Sequence, residues 1–500
     1  MALTLDYSVF HDKVRACWLG KNIGGTLGAP YEGTTSYLDV KGYKTPKGEP
    51  LPNDDLDLQL VWLMAAEEEG LYKLDAKVLG EYWLSYITPH WNEYGIGKAN
   101  MRSGLQPPLS GDQDNDWKNS NGAWIRSEIW ASLFPGRPDI AATYALEDAS
   151  VDHGTGEGVY AAIFTAALQS AAYVLADVRD CMAVALSKIP ADCRVAQSVL
   201  LARRCHEEGL PARETRDKIQ QANADLGTGW FEAPSNIGYV VLGLLYGNGD
   251  FKSSMLHAVN CGDDTDCTAA TVGATLGILG GTAAIPTDWR EYIGDKIVTI
   301  SICRALCWKL PATCGELTER VVRLAQAAST MPSESRHYHV PLEVVEISEH
   351  PSSTPQPPQA EILDEMKRCP FLRERLAELL PYSVKDDFTF AHAVLAIEGG
   401  VRLAPGEEMK LHLVVAANTN RLGNIPYIIR FRFWLPGGVT VEGPASAFLP
   451  VVERHTNGKA EADFTLKTTS GVPIAQPARV VLEITADGRA EAGYLSFALL

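Results

Sequence analysis

Residues 261–281 read CGDDTDCTAATVGATLGILGG, three carboxylates (Asp263, Asp264 and Asp266) set directly in front of a long run of tiny residues. The run from Cys267 to Leu279 predicts a helix built for burial. Within it Ala269, Ala270, Gly273, Ala274, Gly277 and Gly280 are small, and each glycine inside a helix costs about 0.5–1 kcal/mol relative to alanine. Close approach of another helix offsets that cost. The segment is therefore expected to press against a neighbour while aiming Asp264 and Asp266 at a neighbouring helix N-terminus.

A second acidic cluster, Pro52-Asn53-Asp54-Asp55-Leu56-Asp57, stands before a predicted helix over Leu56 to Ala66. One aspartate at a helix N-terminus is favourable by about 0.3–1 kcal/mol and needs no ligand to explain it. Two or three adjacent carboxylates repel one another, and a cation is the usual reason to tolerate them. Spacing alone leaves capping and metal binding both open. If a metal, the oxygen donors suit Mg²⁺, Mn²⁺ or Ca²⁺. Two other metal patterns fail: Asp112-Gln-Asp114-Asn-Asp116 begins like a calcium loop but has Trp117 and Ala123 at its glycine and glutamate positions, and Leu58 stands where a prenyl-diphosphate motif needs its third acid.

Outward from these clusters, the chain to about residue 330 is helical in pattern, as in 14–19, 158–175, 192–208 and 213–223, with polar loops between, notably Gly95 to Asn121. The stretch PSSTPQPPQ (351–359) marks an exposed connector, and a short amphipathic helix is expected from Glu361 to Leu380. Beyond it, Lys410 to Val415, Tyr427 to Trp434 and Arg479 to Ile484 alternate or are β-branched and aromatic, separated by Pro-Gly and Asp-Gly turns. The fold class is mainly α: an all-helical domain over 1–345, a Pro-rich linker and helix over 346–382, and a small β-sandwich over 383–500. The β region is read either as a carbohydrate or partner module or as a structural buttress, and the buttress is favoured, since the sequence offers no row of exposed aromatics for a sugar platform.

The chain of 500 residues has 44 basic and 62 acidic residues, a formal charge of −18 that disfavours nucleic acid and anionic lipid as bulk partners. The first twenty residues lack the pattern of a secretion signal. The longest apolar runs, such as Ile237 to Tyr246, fall short of the ~20 residues a membrane span needs. Ten scattered cysteines form no disulfide framework, and Cys303, Cys307 and Cys314 lack the spacing of a zinc site. A reducing cytoplasm is the expected compartment.

Five ordered motifs resemble those of the ADP-ribosylglycohydrolase family across roughly residues 10 to 300. Arg15-Ala-Cys-Trp-Leu-Gly-Lys-Asn-Ile-Gly-Gly-Thr-Leu-Gly-Ala-Pro-Tyr-Glu32 is similar to the opening segment, in which a glycine-rich turn leads to an acidic residue. Asn53-Asp54-Asp55 resembles the Thr-Asp-Asp motif, Asn121-Gly-Ala-Trp-Ile-Arg126 the central Asn-Gly-Ala segment, and His153 a histidine that follows it. Gly262-Asp-Asp264-Thr-Asp266-Cys267 resembles the closing Gly-Asp-Thr-Asp-Thr motif.

The resemblance implies an all-helical fold with one or two Mg²⁺ or Mn²⁺ ions held between helix N-termini by Asn53, Asp54, Asp55, Asp264, Asp266 and Cys267. It implies Glu32, Asp55 and Asp264 as catalytic residues, and Asn121, Trp124, Arg126 and His153 as substrate-binding ones. Trp117 and Trp230 are further candidates for stacking on a base or sugar. Asn53 and Cys267 stand where the family has threonines, and Gly25 where it has an acid. The implied activity is hydrolysis of a glycosidic bond to ribose or a related sugar in a small-molecule or glycosylated substrate. ADP-ribosyl removal comes first and another glycoside second; a binding or structural member of the fold, like those recruited as lens crystallins, is the alternative.

Overall fold

Two glycine-bearing helices, Tyr7–Gly28 and Thr265–Gly280, run antiparallel in backbone contact. A Cβ added at Gly20 would lie 2.1 Å from the Gly273 carbonyl oxygen, one at Gly24 2.4 Å from the Ala269 backbone, and one at Gly28 2.2 Å from the Thr265 carbonyl. Thr265 Oγ1 closes the register by donating to the Gly28 carbonyl at 2.8 Å. The small residues of 261–281 thus meet small residues four apart on the first helix. This corrects the expected glycine-rich turn: Gly20 to Gly28 is helical, because close packing outweighs the intrinsic cost of glycine.

The computed structural model describes residues 2–500 apart from 228, 304, 307–308, 330–333, 336–337, 340–343, 351–355, 369, 418–426 and 451–457. Cys307 and the first five residues of the Pro-rich connector lie outside the described residues. The chain divides into two compact units. The first holds Met1–Glu93, Asp116–Ala149 and Gly156–Arg375. The second holds Tyr94–Asn115, Ser150–Thr155 and Leu376–Leu500.

In the first unit, helices Glu157–Ala172, Ala233–Tyr246 and Phe251–Asn260 pack on Thr265–Gly280, and strand Ala2–Asp6 pairs in parallel with Val344–Ser348. The expected single helix over Glu361 to Leu380 is instead two, Gln359–Met366 and Pro370–Glu378. Pro370 has no N–H to continue a helix and opens the second.

In the second unit, a five-stranded antiparallel sheet runs Ser383–Phe388, Ala391–Ile397, Glu408–Ala417, Lys459–Thr468, Val439–Glu442. A four-stranded antiparallel sheet runs Ser446–Leu449, Tyr427–Trp434, Arg479–Ala486, Ala492–Ala498. Their buried faces share one core that includes Leu395, Leu413, Phe464, Ile429, Leu482 and Phe497. Strand alternation turns Trp434, Phe448 and Tyr494 outward, so the second sheet exposes aromatics where none was expected. The expected loop over Gly95 to Asn121 is entered by the helix Asn92–Arg102. Gly97 hides that helix from the sequence pattern, and its missing side chain admits Asp152, whose Cβ would be 3.1 Å from an added Cβ.

No described helix is long and apolar enough to cross a membrane.

Candidate metal centre

The capping question is settled separately at the two clusters. At the first, Asn53 caps helix Asp54–Glu69, its side-chain oxygen accepting the Asp55 N–H at 2.8 Å. Gly25 makes room for that amide, since a Cβ there would lie 1.5 Å from Asn53 Nδ2. The N-cap position is therefore held by Asn53 rather than by Asp54 or Asp55. Asp57 serves a different purpose, because its Oδ2 accepts the N–H groups of Ile300 at 2.5 Å and Ser301 at 2.6 Å and so fastens that loop to the helix start.

At the second cluster Asp264 holds the N-cap position of helix Thr265–Gly280 but makes no side-chain capping bond. Its Oδ2 accepts from Asn121 Nδ2 at 2.7 Å, and Asn121 Oδ1 in turn accepts from Trp124 Nε1 at 2.9 Å. Asp263, with φ of 68°, turns its carboxylate away to accept the Phe231 N–H at 2.7 Å. The Asp263 backbone pairs with Gly33 and Thr34 at 2.9 and 2.7 Å. That pairing delivers Glu32, at the end of the first helix's extension, to Asp264 and Asp266.

The result is two overlapping donor groups sharing Asp266. Ligand atoms of Glu32, Asp264 and Asp266 lie within 4.8 Å of one another, as do those of Asp55, Asp266 and Cys267. Asp55 and Asp264 are fully buried and Asp266 is 7% exposed. Asp55 Oδ2, Asp264 Oδ1 and Asp266 Oδ1 accept no hydrogen bond among the described residues. Two like charges at that spacing repel by roughly 3–4 kcal/mol at an effective dielectric of 20. Hard oxygen donors left without hydrogen bonds fit a divalent cation. Asp54, half-buried at the same helix start, adds its charge to Glu32, Asp55 and Cys267.

The electrostatics follow from this crowding. Burial, then the Asp266 and Glu32 charges, hold Asp264 well above the ordinary carboxylate range. Burial raises Asp55 as well, opposed by Lys21, and burial also raises Asp266. Glu32 is exposed as a residue, but its carboxylate stands among the others. Desolvation of that head, then Asp266 and Asp54, push it up to about 8. The local surroundings of the carboxylate, not the residue average, govern its proton.

Sequence reasoning missed the charged layer beneath. Lys21, fully buried, places Nζ 3.1 Å from Glu128 Oε2. Glu128 also accepts from Gln59 at 2.9 Å and Gln169 at 3.1 Å, while Gln59 Oε1 accepts the Ile129 N–H at 2.7 Å. The signal was there: Lys21 in WLGKNIGG and Gln59 in LDLQLVWL are polar intruders in helices otherwise fit for burial.

The remaining candidates separate. Trp124 and Arg126 are fully buried. Arg126 lies over the Trp83 ring at 4.9 Å and donates from Nε to Asp148 at 2.8 Å. His153 is buried in the second unit, 2.9 Å from Asp152 Oδ1. Trp117 is half-buried. Trp230, also half-buried, sets its ring edge 3.3 Å from where a Gly33 Cβ would be, next to Glu32.

A family model described as ADP-ribosylglycohydrolase matches residues 6–327. An uncharacterized protein of Archaeoglobus fulgidus is 27% identical over 305 residues, which is 57% of this chain and 92% of that one. A solved structure described as an ADP-ribosylglycohydrolase-related protein complex is 20% identical, with a TM-score of 0.41, the match covering 64% of this chain and 98% of that one.

Proposed function

Because this chain belongs to the ADP-ribosylglycohydrolase family, we propose that it hydrolyses a glycosidic bond to ribose, ADP-ribosyl removal first among the candidates, with Mg²⁺ or Mn²⁺ held by Asp54, Asp55, Asp264 and Asp266. The observation that carries the reading is that one buried carboxylate oxygen each of Asp55, Asp264 and Asp266 accepts no hydrogen bond among the described residues. The ion would supply Lewis-acid polarisation of ribose hydroxyls and of a water.

Glu32 is the most exposed residue of the group. Its carboxylate takes the proton of the water that attacks the anomeric carbon. In the metal-free protein burial, then Asp266 and Asp54, push this carboxylate up to about 8, and an ion held nearby would bring it down toward the range of a general base at neutral pH. The carboxylates of Asp55 and Asp264 stabilise the oxocarbenium-like charge that develops on the sugar. Asn121 aims Asp264, with Trp124 holding Asn121 from behind. Trp230, beside Gly33, offers a face on which a base or sugar stacks. Arg126 supports the same segment from inside through Asp148.

The test is calorimetric titration with Mg²⁺ and Mn²⁺, with and without ADP-ribose, followed by a panel of ADP-ribosylated and simple glycoside substrates. Metal-dependent release of ADP-ribose supports the proposal. A protein that binds metal but cleaves only another glycoside refutes the choice of substrate, and one that binds no divalent ion refutes the mechanism.

A further inference from the structure

The two donor groups are not chemically alike. Glu32, Asp264 and Asp266 offer only oxygen, whereas Asp55 and Asp266 are joined by the sulfur of Cys267. Cys267 Sγ lies 3.2 Å from Asp55 Oδ1, to which its S–H donates, and the residue is 5% exposed. The other Asp55 oxygen and Asp266 Oδ1 are buried and accept no hydrogen bond among the described residues. A tetrahedral ion with ordinary Zn–S and Zn–O lengths sets its sulfur and oxygen roughly 3.6 Å apart, close to the spacing already present.

We infer that Asp55, Asp266 and Cys267 form a thiolate locus selective for a thiophilic divalent ion such as Zn²⁺ or Co²⁺, beside an all-oxygen locus for Mg²⁺ or Mn²⁺. This rests on the metal-centre reading above and goes beyond it in assigning different ions to the two halves. Soft thiolate ligands favour Zn²⁺ and Co²⁺ over Mg²⁺, while carboxylates alone favour the harder ions. Cys267 sits in the first turn of helix Thr265–Gly280, where burial and the Asp264 and Asp55 charges keep its thiol protonated until an ion takes the proton's place. The buried Lys21 ammonium, 3.1 Å from Glu128, also acts on Asp55 and Cys267, a single positive charge set against several acids. On binding, the S–H bond breaks, the sulfur keeps its electron pair and bonds the ion, and the proton leaves to solvent. Nothing is oxidised or reduced.

The experiment is a Co²⁺ titration of the full chain followed by absorption spectroscopy, paired with Mn²⁺ binding by electron paramagnetic resonance. Wild type is expected to develop a near-ultraviolet sulfur-to-cobalt charge-transfer band, and Cys267→Ser to lose it while still binding Mn²⁺. Mn²⁺ binding with no such band in wild type, or a band that persists in Cys267→Ser, overturns this inference alone. Absence of any divalent ion overturns it together with the proposed function. If Cys267→Ser does not fold, X-ray absorption at the zinc edge of wild type decides: one sulfur at about 2.3 Å is expected, and an all-oxygen or nitrogen shell overturns the assignment.

Discussion

Asn121 donates to Asp264 at 2.7 Å, and Asp264 makes no side-chain capping bond to the helix it begins. The direction of this carboxylate is thus set from outside its own element. Groups that orient metal ligands typically cost 10- to 100-fold in affinity or activity when removed. Asn121→Ala is expected to weaken Mn²⁺ binding by about that factor, measured by calorimetry. Trp124→Phe should weaken it in the same direction and less. A tryptophan that stacked on substrate would instead raise KM and leave ion affinity unchanged.

Trp230 is the complementary case, because its ring lies beside Gly33, next to Glu32. Trp230→Ala is expected to raise KM about tenfold, the equivalent of ~1.4 kcal/mol, with Mn²⁺ affinity unaltered. Steady-state kinetics beside calorimetry check both halves of that statement.

The pH response follows from the raised carboxylates. Burial, before any neighbouring charge, lifts Asp55, Asp264 and Asp266, and Glu32 reaches about 8. From the ordinary carboxylate pKa of about 4 up to the raised folded values, the folded protein holds more protons than the unfolded chain. Stability of the metal-free protein therefore falls as pH rises through that window. Thermal unfolding between about pH 5 and 8 should show Tm declining with pH in EDTA. Saturating Mg²⁺ should flatten the decline, because the ion takes the place of the protons.

Contact between the two glycine-bearing helices carries a packing prediction. Gly24→Ala would drive a methyl to 2.4 Å from the Ala269 backbone, with no flexible side chain to yield. A loss of about 3 kcal/mol or failure to fold is expected, read from thermal unfolding and soluble yield.

How much of this was legible in the sequence differs by residue. The two Asp clusters and the small residues after Cys267 stood out, the clusters as adjacent like charges open to capping or to a cation, the small residues as a cost that a close neighbour offsets. Asp263 could be told from Asp264 only by its φ of 68° and its bond to Phe231, which come from tertiary pairing with Thr34. Gly25 read as a missing acid, whereas its role is the space it leaves for Asn53. Trp124 and Arg126 are polar-tipped groups satisfied inside the core, and no sequence period separates these from groups that face a ligand. Residues 94–115 and 150–155 gather with the C-terminal strands through long-range packing that local propensity does not encode.

The central claim is that buried carboxylates from two helix starts form a divalent-metal centre. Calorimetric titration of Mn²⁺ into the metal-free full chain tests it most directly, with Asp264→Asn as the control. Saturable binding by wild type and its loss, or a fall of at least about tenfold, in Asp264→Asn is the predicted result. Absence of saturable binding in folded wild-type protein, or unaltered binding in Asp264→Asn, would contradict it.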